Sequence, residues 1–159
     1  MAAAILEGCR DTNRHGYAHA LMNLGAVQHL TGSDATAAAS LTEALELCRD
    51  IGDRQGQAET LNHLGALLSD TRRHEKALAC HTEALGLARD TGTPMDEAGA
   101  LEGIGRCHIQ ARDIAVGGTY LLQALEIYRR LGSPNAQRVQ KTISDHGIRQ
   151  RLKRRPAKG

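Results

Sequence analysis

The sequence predicts an all-α fold, a solenoid of antiparallel helix pairs, on three observations. The triplet Leu21-x-x-Leu24-Gly25 recurs 40 residues on as Leu61-x-x-Leu64-Gly65 and again as Leu101-x-x-Ile104-Gly105. About 20 residues after each triplet stands a second signature: Ala37, Leu41 and Ala44, then Ala77, His81 and Ala84, then Gly117, Leu121 and Ala124. Self-similarity at a fixed period marks repeats that bury their apolar faces only against their neighbours. The third observation is compositional. The 159 residues include no Phe, no Trp and three Tyr, so the core is aliphatic, and alanine and leucine favour helix. No alternating apolar run bounded by hairpin turns signals a strand.

Each element follows in order. Residues 2–11 resemble the back half of a second helix such as Leu45–Asp50, with no first helix before them. Segment 1–12 is therefore expected to be the partial helix of a preceding repeat. Either the chain is the C-terminal piece of a longer protein, or a partner covers the start, or the chain stands alone with a frayed N-terminus. An uncapped apolar edge at Ile5 and Leu6 also favours self-association, giving a homo-oligomer through the N-terminal edge.

Helices are expected at about 14–30, 34–50, 54–70, 74–90, 94–110, 114–131 and 134–146. Each long one spans roughly 25 Å at 1.5 Å per residue. Gly52, Gly92 and Gly132 stand where a helix should end in the left-handed conformation. Asp53, Thr93 and Ser133 follow as capping residues, and Pro94 and Pro134 suit the first helical position. The repeats thus run about 14–52, 54–92 and 94–132. Within a pair, Gly25, Gly65 and Gly105 on the first helix face small residues on the second, so the backbones approach closely.

The fourth copy of the triplet has turned polar, as Lys141, Ser144 and Asp145, while Val139 and Ile143 keep one apolar stripe. Residues 134–146 therefore read as a solvating cap helix. Residues 147–159 carry six cations and no acid, which leaves −4 on residues 1–146 against a net charge of +2. This basic tail is expected to be disordered.

Compartment and chemistry are bounded by absences. The four cysteines form no CxxC pair and no disulfide framework, and the N-terminus lacks a basic region or apolar span, so a cytoplasmic chain without membrane contact is expected. There is no GxxxxGK[ST] loop and no Gly-x-Ser-x-Gly turn, and His74-Glu75 lacks the second histidine of a zinc-protease motif because Leu78 takes its place. No enzymatic activity and no cofactor are predicted. Cys80-His81 and Cys107-His108 lie on neighbouring helices, but consecutive helical residues point about 100° apart. They read as packing residues, and no metal site is expected.

The order Leu-x-x-Leu-Gly, then Ala, a bulky residue and Ala, resembles the tetratricopeptide repeat over nearly the whole chain. The usual period is about 34 residues, so this chain resembles the long, 40-residue variant. That resemblance implies a right-handed superhelix. Segments 44–53 and 61–65 are similar to the C-terminal repeats of large bacterial transcription regulators of the antibiotic-pathway (SARP) and signal-transduction ATPase (STAND) families. This implies a regulatory part of a larger regulator. The chain departs from the repeat pattern at Gly117, His81, Gln28 and His108, which predicts looser packing in the last repeat.

In tetratricopeptide families the first helix of each pair lines a concave groove. The resemblance therefore implies a peptide-binding surface of His19, Met22, Asn23 and His29, then Glu59, Asn62, His63 and Ser69, then Glu102 and Arg106. Ala26, Ala66 and Ile109 lie between them. This mixture of amide, imidazole and charge among small residues suits a protein or peptide partner held by hydrogen bonds. Asn62 is the foremost candidate, since a side-chain amide can pair with both N–H and C=O of a backbone. Arg149, Arg151, Lys153, Arg154 and Arg155 offer a nucleic-acid contact of the salt-sensitive kind, with no aromatic residue among them to stack on bases.

Overall fold

The computed structural model describes residues 13–154. Every regular element in this range is a helix: α1 (Arg14–Leu30), α2 (Asp34–Asp50), α3 (Arg54–Asp70), α4 (His74–Thr91), α5 (Pro94–Gln110), α6 (Ile114–Arg130), α7 (Asn135–Asp145) and α8 (Ile148–Lys153). Consecutive helices pack as pairs, α1 with α2, α3 with α4 and α5 with α6, and α7 lies on α6. The first helices also touch one another, α1 against α3 and α3 against α5, forming one continuous face. The expected edge at Ile5 and Leu6 lies outside the described residues.

The core is a set of columns that repeat every 40 residues. Leu21, Leu61 and Leu101 are buried, as are Ala44, Ala84 and Ala124. A further column, Ala18, Ala58 and Ala98, is fully buried and admits only small side chains between successive first helices. Its fourth place is Arg138, where the array stops and a long exposed side chain fits. The column of Cys48 and Ala88, both small, ends in the much larger Tyr128.

The last pair packs tightly, contrary to the expectation of looseness at Gly117. A Cβ placed on Gly105 would lie 2.9 Å from the Gly117 carbonyl oxygen, against 3.3 Å between a Cβ on Gly25 and the Ala37 oxygen in the first pair. Losing the alanine methyl lets the two backbones close rather than leaving a void. The other departures are also accommodated. Ser40 donates to Gln28 Oε1 at 2.8 Å, and the His108 ring stacks on Tyr120 with centroids 5.8 Å apart.

Every long helix ends the same way. Gly32, Gly52, Arg72, Gly92, Arg112 and Gly132 have φ between 62° and 78°. At each, the residue after the left-handed one donates to the carbonyl five residues back, as Ser33 N to Gln28 O at 2.8 Å and Arg73 N to Leu68 O at 2.7 Å. These are Schellman turns, 20 residues apart. At the starts, Asp53 accepts from the Gly56 amide and Ser133 from the Asn135 amide, whereas the Thr93 side chain makes no cap bond.

The basic tail departs from its expected disorder through residue 154. Ile148 is fully buried, and a Cβ on Gly118 would meet its Cγ2 at 2.4 Å. Leu152, one turn on, packs against the same core. These two residues form an apolar stripe at i, i+4 that docks α8 on α6 despite the surrounding cations.

Candidate functional site

A groove of about 410 Å³ opens along the face made by α1, α3 and α5. Ala26 and Ala66 occupy the same repeat position and form part of its floor, and Arg106 stands at the third copy of that position. Gly99 and Gly103 keep the floor low over α5, and Tyr128 and Arg138 close the end nearest α7.

Of the residues expected from the repeat, His29, Asn62, His63, Ser69, Glu102 and Arg106 line this groove. Matching bonds tie the ends of successive first helices, His29 Nε2 to Asp70 Oδ2 at 3.0 Å between α1 and α3, and Ser69 Oγ donating to Gln110 Oε1 at 3.1 Å between α3 and α5. Arg106 reaches the same Asp70 at 3.6 Å and remains exposed. Burial, with the nearby His29 second, lowers the pKa of His63 and favours its uncharged ring.

Four expected residues lie elsewhere. Met22 is 2% exposed and belongs to the core. His19 is bound to Asp53, Asn23 points to solvent, and Glu59 is half-buried away from the groove. Met22 cannot offer a ligand surface because the column position it holds, shared with Asn62 and Glu102, points between helices as much as into the groove.

Asn62 itself is committed within the chain. Its Nδ2 donates to the Asp96 carbonyl at 3.0 Å, which turns its Oδ1 toward His81 Nδ1, 3.2 Å away. The amide does pair with a backbone, but with the backbone of the next repeat. The Asn62 orientation places the His81 proton on Nδ1. His81 is 4% exposed and sits between two glycines. A Cβ on Gly65 would lie 2.6 Å from its Nε2, and one on Gly103 would lie 2.3 Å from its Cε1. Burial first, and Arg106 second, push its pKa down to about 4, so the ring is uncharged.

Glu102 is likewise occupied. Arg138 holds it through two bonds, Nε to Oε1 at 3.1 Å and Nη2 to Oε2 at 2.8 Å, and the Tyr128 hydroxyl donates to Oε2 at 3.1 Å. A bidentate pair of this kind fixes direction as well as charge. It staples α7 to α5 and α6, and burial together with Glu102 raises the Tyr128 pKa.

The sequence patterns did not single out His15, which joins His19 and Asp53 at the mouth of the α1–α3 contact. Asp53 Oδ2 lies 3.3 Å from His15 Nδ1 and 3.0 Å from His19 Nε2, and the two rings stand 4.5 Å apart. Burial opposes ionisation of Asp53, but the Gly56 amide and the two rings outweigh it and hold its pKa below the usual value. The signal available was the His-x-x-x-His spacing on one helix. Among the described residues, Cys80, His81, Cys107 and His108 form no such grouping. Burial raises the thiol pKa of Cys48, Cys80 and Cys107.

Arg149, Arg151, Lys153 and Arg154 are exposed on and just after α8. Arg155 lies outside the described residues. No helix among those described is long and apolar enough to cross a membrane.

Residues 16–90 match the family model described as tetratricopeptide repeat. No curated protein sequence matches the chain. Among solved structures, the apo form of RapI superposes with a TM-score of 0.76 at 16% identity, over 84% of this chain and 49% of that one. BtubC (BKLC) from P. vanneervenii superposes with a TM-score of 0.77 at 19% identity, over 91% of this chain and 62% of that one. This chain therefore spans about half to three fifths of those structures, and the likeness is one of fold. Residues 16–90 are therefore tetratricopeptide repeat in sequence, and the helix-pair architecture continues through the rest of the described range.

Proposed function

We propose that the groove over α1, α3 and α5 binds a protein partner through an extended or helical peptide, without catalysis. The observation that supports this most is the groove's construction. Small residues on adjacent first helices, Ala26 and Ala66, leave room for a backbone to lie against the floor, while Arg106 and Asp70 offer exposed polar groups at one side. The buried neutral imidazole of His81, the half-buried His63 with its lowered pKa, and the matched Glu102–Arg138 pair leave little net charge on the walls. A partner is therefore selected by shape and hydrogen bonding more than by charge.

The resemblance of segments 44–53 and 61–65 to repeats of bacterial transcription regulators supports a regulatory setting for this binding. In it a partner shifts attached domains by its affinity difference between two states.

The test is a selection of peptides displayed at random against the whole chain, repeated with Ala66→Glu and Arg106→Ala. These replace the floor and an exposed polar group, and leave the internally bonded Asn62 in place. Peptides that bind the parent and lose at least about tenfold with Ala66→Glu, equivalent to about 1.4 kcal/mol, support the groove. Peptides held equally by both variants place binding elsewhere.

A further inference from the structure

We propose that His15, His19 and Asp53 form a binding site for a first-row divalent transition metal, of the zinc class, that clamps α1 to the start of α3. His15 and His19 stand one turn apart on α1, so both rings project from one helix face. Their nitrogens Nδ1 and Nε2 converge on a single oxygen, Asp53 Oδ2, at 3.3 and 3.0 Å. A metal bound at about 2.0–2.2 Å from each ligand needs ligand-to-ligand spacings of this size, so small ring rotations suffice.

The carboxylate is already aimed. Asp53 Oδ1 accepts from the Gly56 amide at 2.8 Å, leaving Oδ2 free to turn toward the rings. Gly56 allows this, because a Cβ there would lie 2.4 Å from Asp53 Oδ2. A hydrogen bond of this kind to a ligating carboxylate is what orients a metal site from outside. Two imidazoles and one carboxylate select a borderline-soft ion and disfavour Mg²⁺ and Ca²⁺, which take oxygen ligands. His15 is largely exposed, so solvent completes the coordination and the ion has an open path in.

The grouping is peculiar to the first junction. The same repeat positions hold Gln55, Glu59 and Thr93 at the second, and Met95, Gly99 and Ser133 at the third. Ordinary packing does not require it. Bound metal would join the first repeat to the second and stiffen the α1–α3 junction.

The experiment is calorimetric titration of the full chain, carrying no histidine tag, with Zn²⁺, Co²⁺ and Mg²⁺. It is repeated with His15→Ala and with the His15→Ala, His19→Ala pair. The expected result is one equivalent of Zn²⁺ or Co²⁺, no heat with Mg²⁺, and affinity lowered more than about tenfold by His15→Ala. The Co²⁺ spectrum should lack a thiolate charge-transfer band, which excludes the cysteines as ligands. Because His15 is exposed, its variant should keep the parent's helical circular dichroism. Absence of saturable Zn²⁺ binding would overturn the proposal and leave an ordinary His–Asp hydrogen-bonded group. So would binding unchanged in the double variant, or a thiolate band.

Discussion

The imidazole of His81 stands where Leu41 and Leu121 stand in the other two pairs, and Gly65 and Gly103 supply the space for its ring. Its folded pKa of about 4 lies below its ordinary 6.5 because the protonated ring would be desolvated and faces Arg106. Protons therefore bind the unfolded chain more readily. The ring's contribution is fully present above about 6.5 and is lost as pH falls through about 4, amounting to about 3 kcal/mol across that window. His81→Leu should remove this dependence, at a cost of about 1 kcal/mol near neutral pH for the hydrogen bond lost by Asn62. Urea unfolding of both proteins between pH 6.5 and 4 checks it. A parallel decline in the two would assign the acid sensitivity to His63 instead, whose pKa burial also lowers. What the sequence concealed at this scale was the use of Asn62 and Glu102. Their residue types suited a ligand, but the atoms that occupy them come from Asp96, His81, Tyr128 and Arg138, 19 to 36 residues away.

Helix boundaries show the opposite balance. Gly52, Gly92 and Gly132 betray their turns because glycine is the residue that tolerates positive φ, and three of them at one spacing leave little ambiguity. The turns within pairs are less legible, since Gly32 is followed 40 and 80 residues on by Arg72 and Arg112. These arginines adopt φ of 62° and 67° because the Schellman bonds on either side require it. A side chain in that region costs about 1–2 kcal/mol, partly offset by the lower entropy of a non-glycine unfolded chain. Arg72→Gly should therefore raise stability by about 0.5–1 kcal/mol. The denaturation midpoint should rise at unchanged slope, and a fall would mean that the arginine side chain makes a compensating contact. Helix α8 escaped notice for a different reason. The six cations of residues 147–159 suggested a solvated tail, while Ile148 and Leu152, set among the three cations of α8, were enough to dock it.

Across the molecule, each helix pair leans only on its neighbours, so damage should stay local. Ile148 seals the C-terminal end against Gly118, and Ile148→Asp would bury an unpaired carboxylate there. Hydrogen exchange should quicken in α6, α7 and α8 and remain unchanged in α1 and α2. Equal acceleration throughout would show a single cooperative unit instead. The groove's position was readable from the repeat because the first helix of every pair shares one face. The His15, His19 and Asp53 group was not, since it departs from the repeat and needs two junction partners brought together from 34 residues apart.

The even spacing of the left-handed turns has a genetic consequence. Removing residues 53–92 would bring Gly52 directly to Thr93, one Schellman turn joined to the start of α5 in the same phase. The shortened chain would lose one pair and keep every remaining stripe facing inward. A deletion one residue longer or shorter would rotate the following helix face by about 100° and turn its leucines to water. Lengthening or shortening of this protein is therefore confined to whole steps of 40 residues, each adding or removing one first helix from the face that carries the groove.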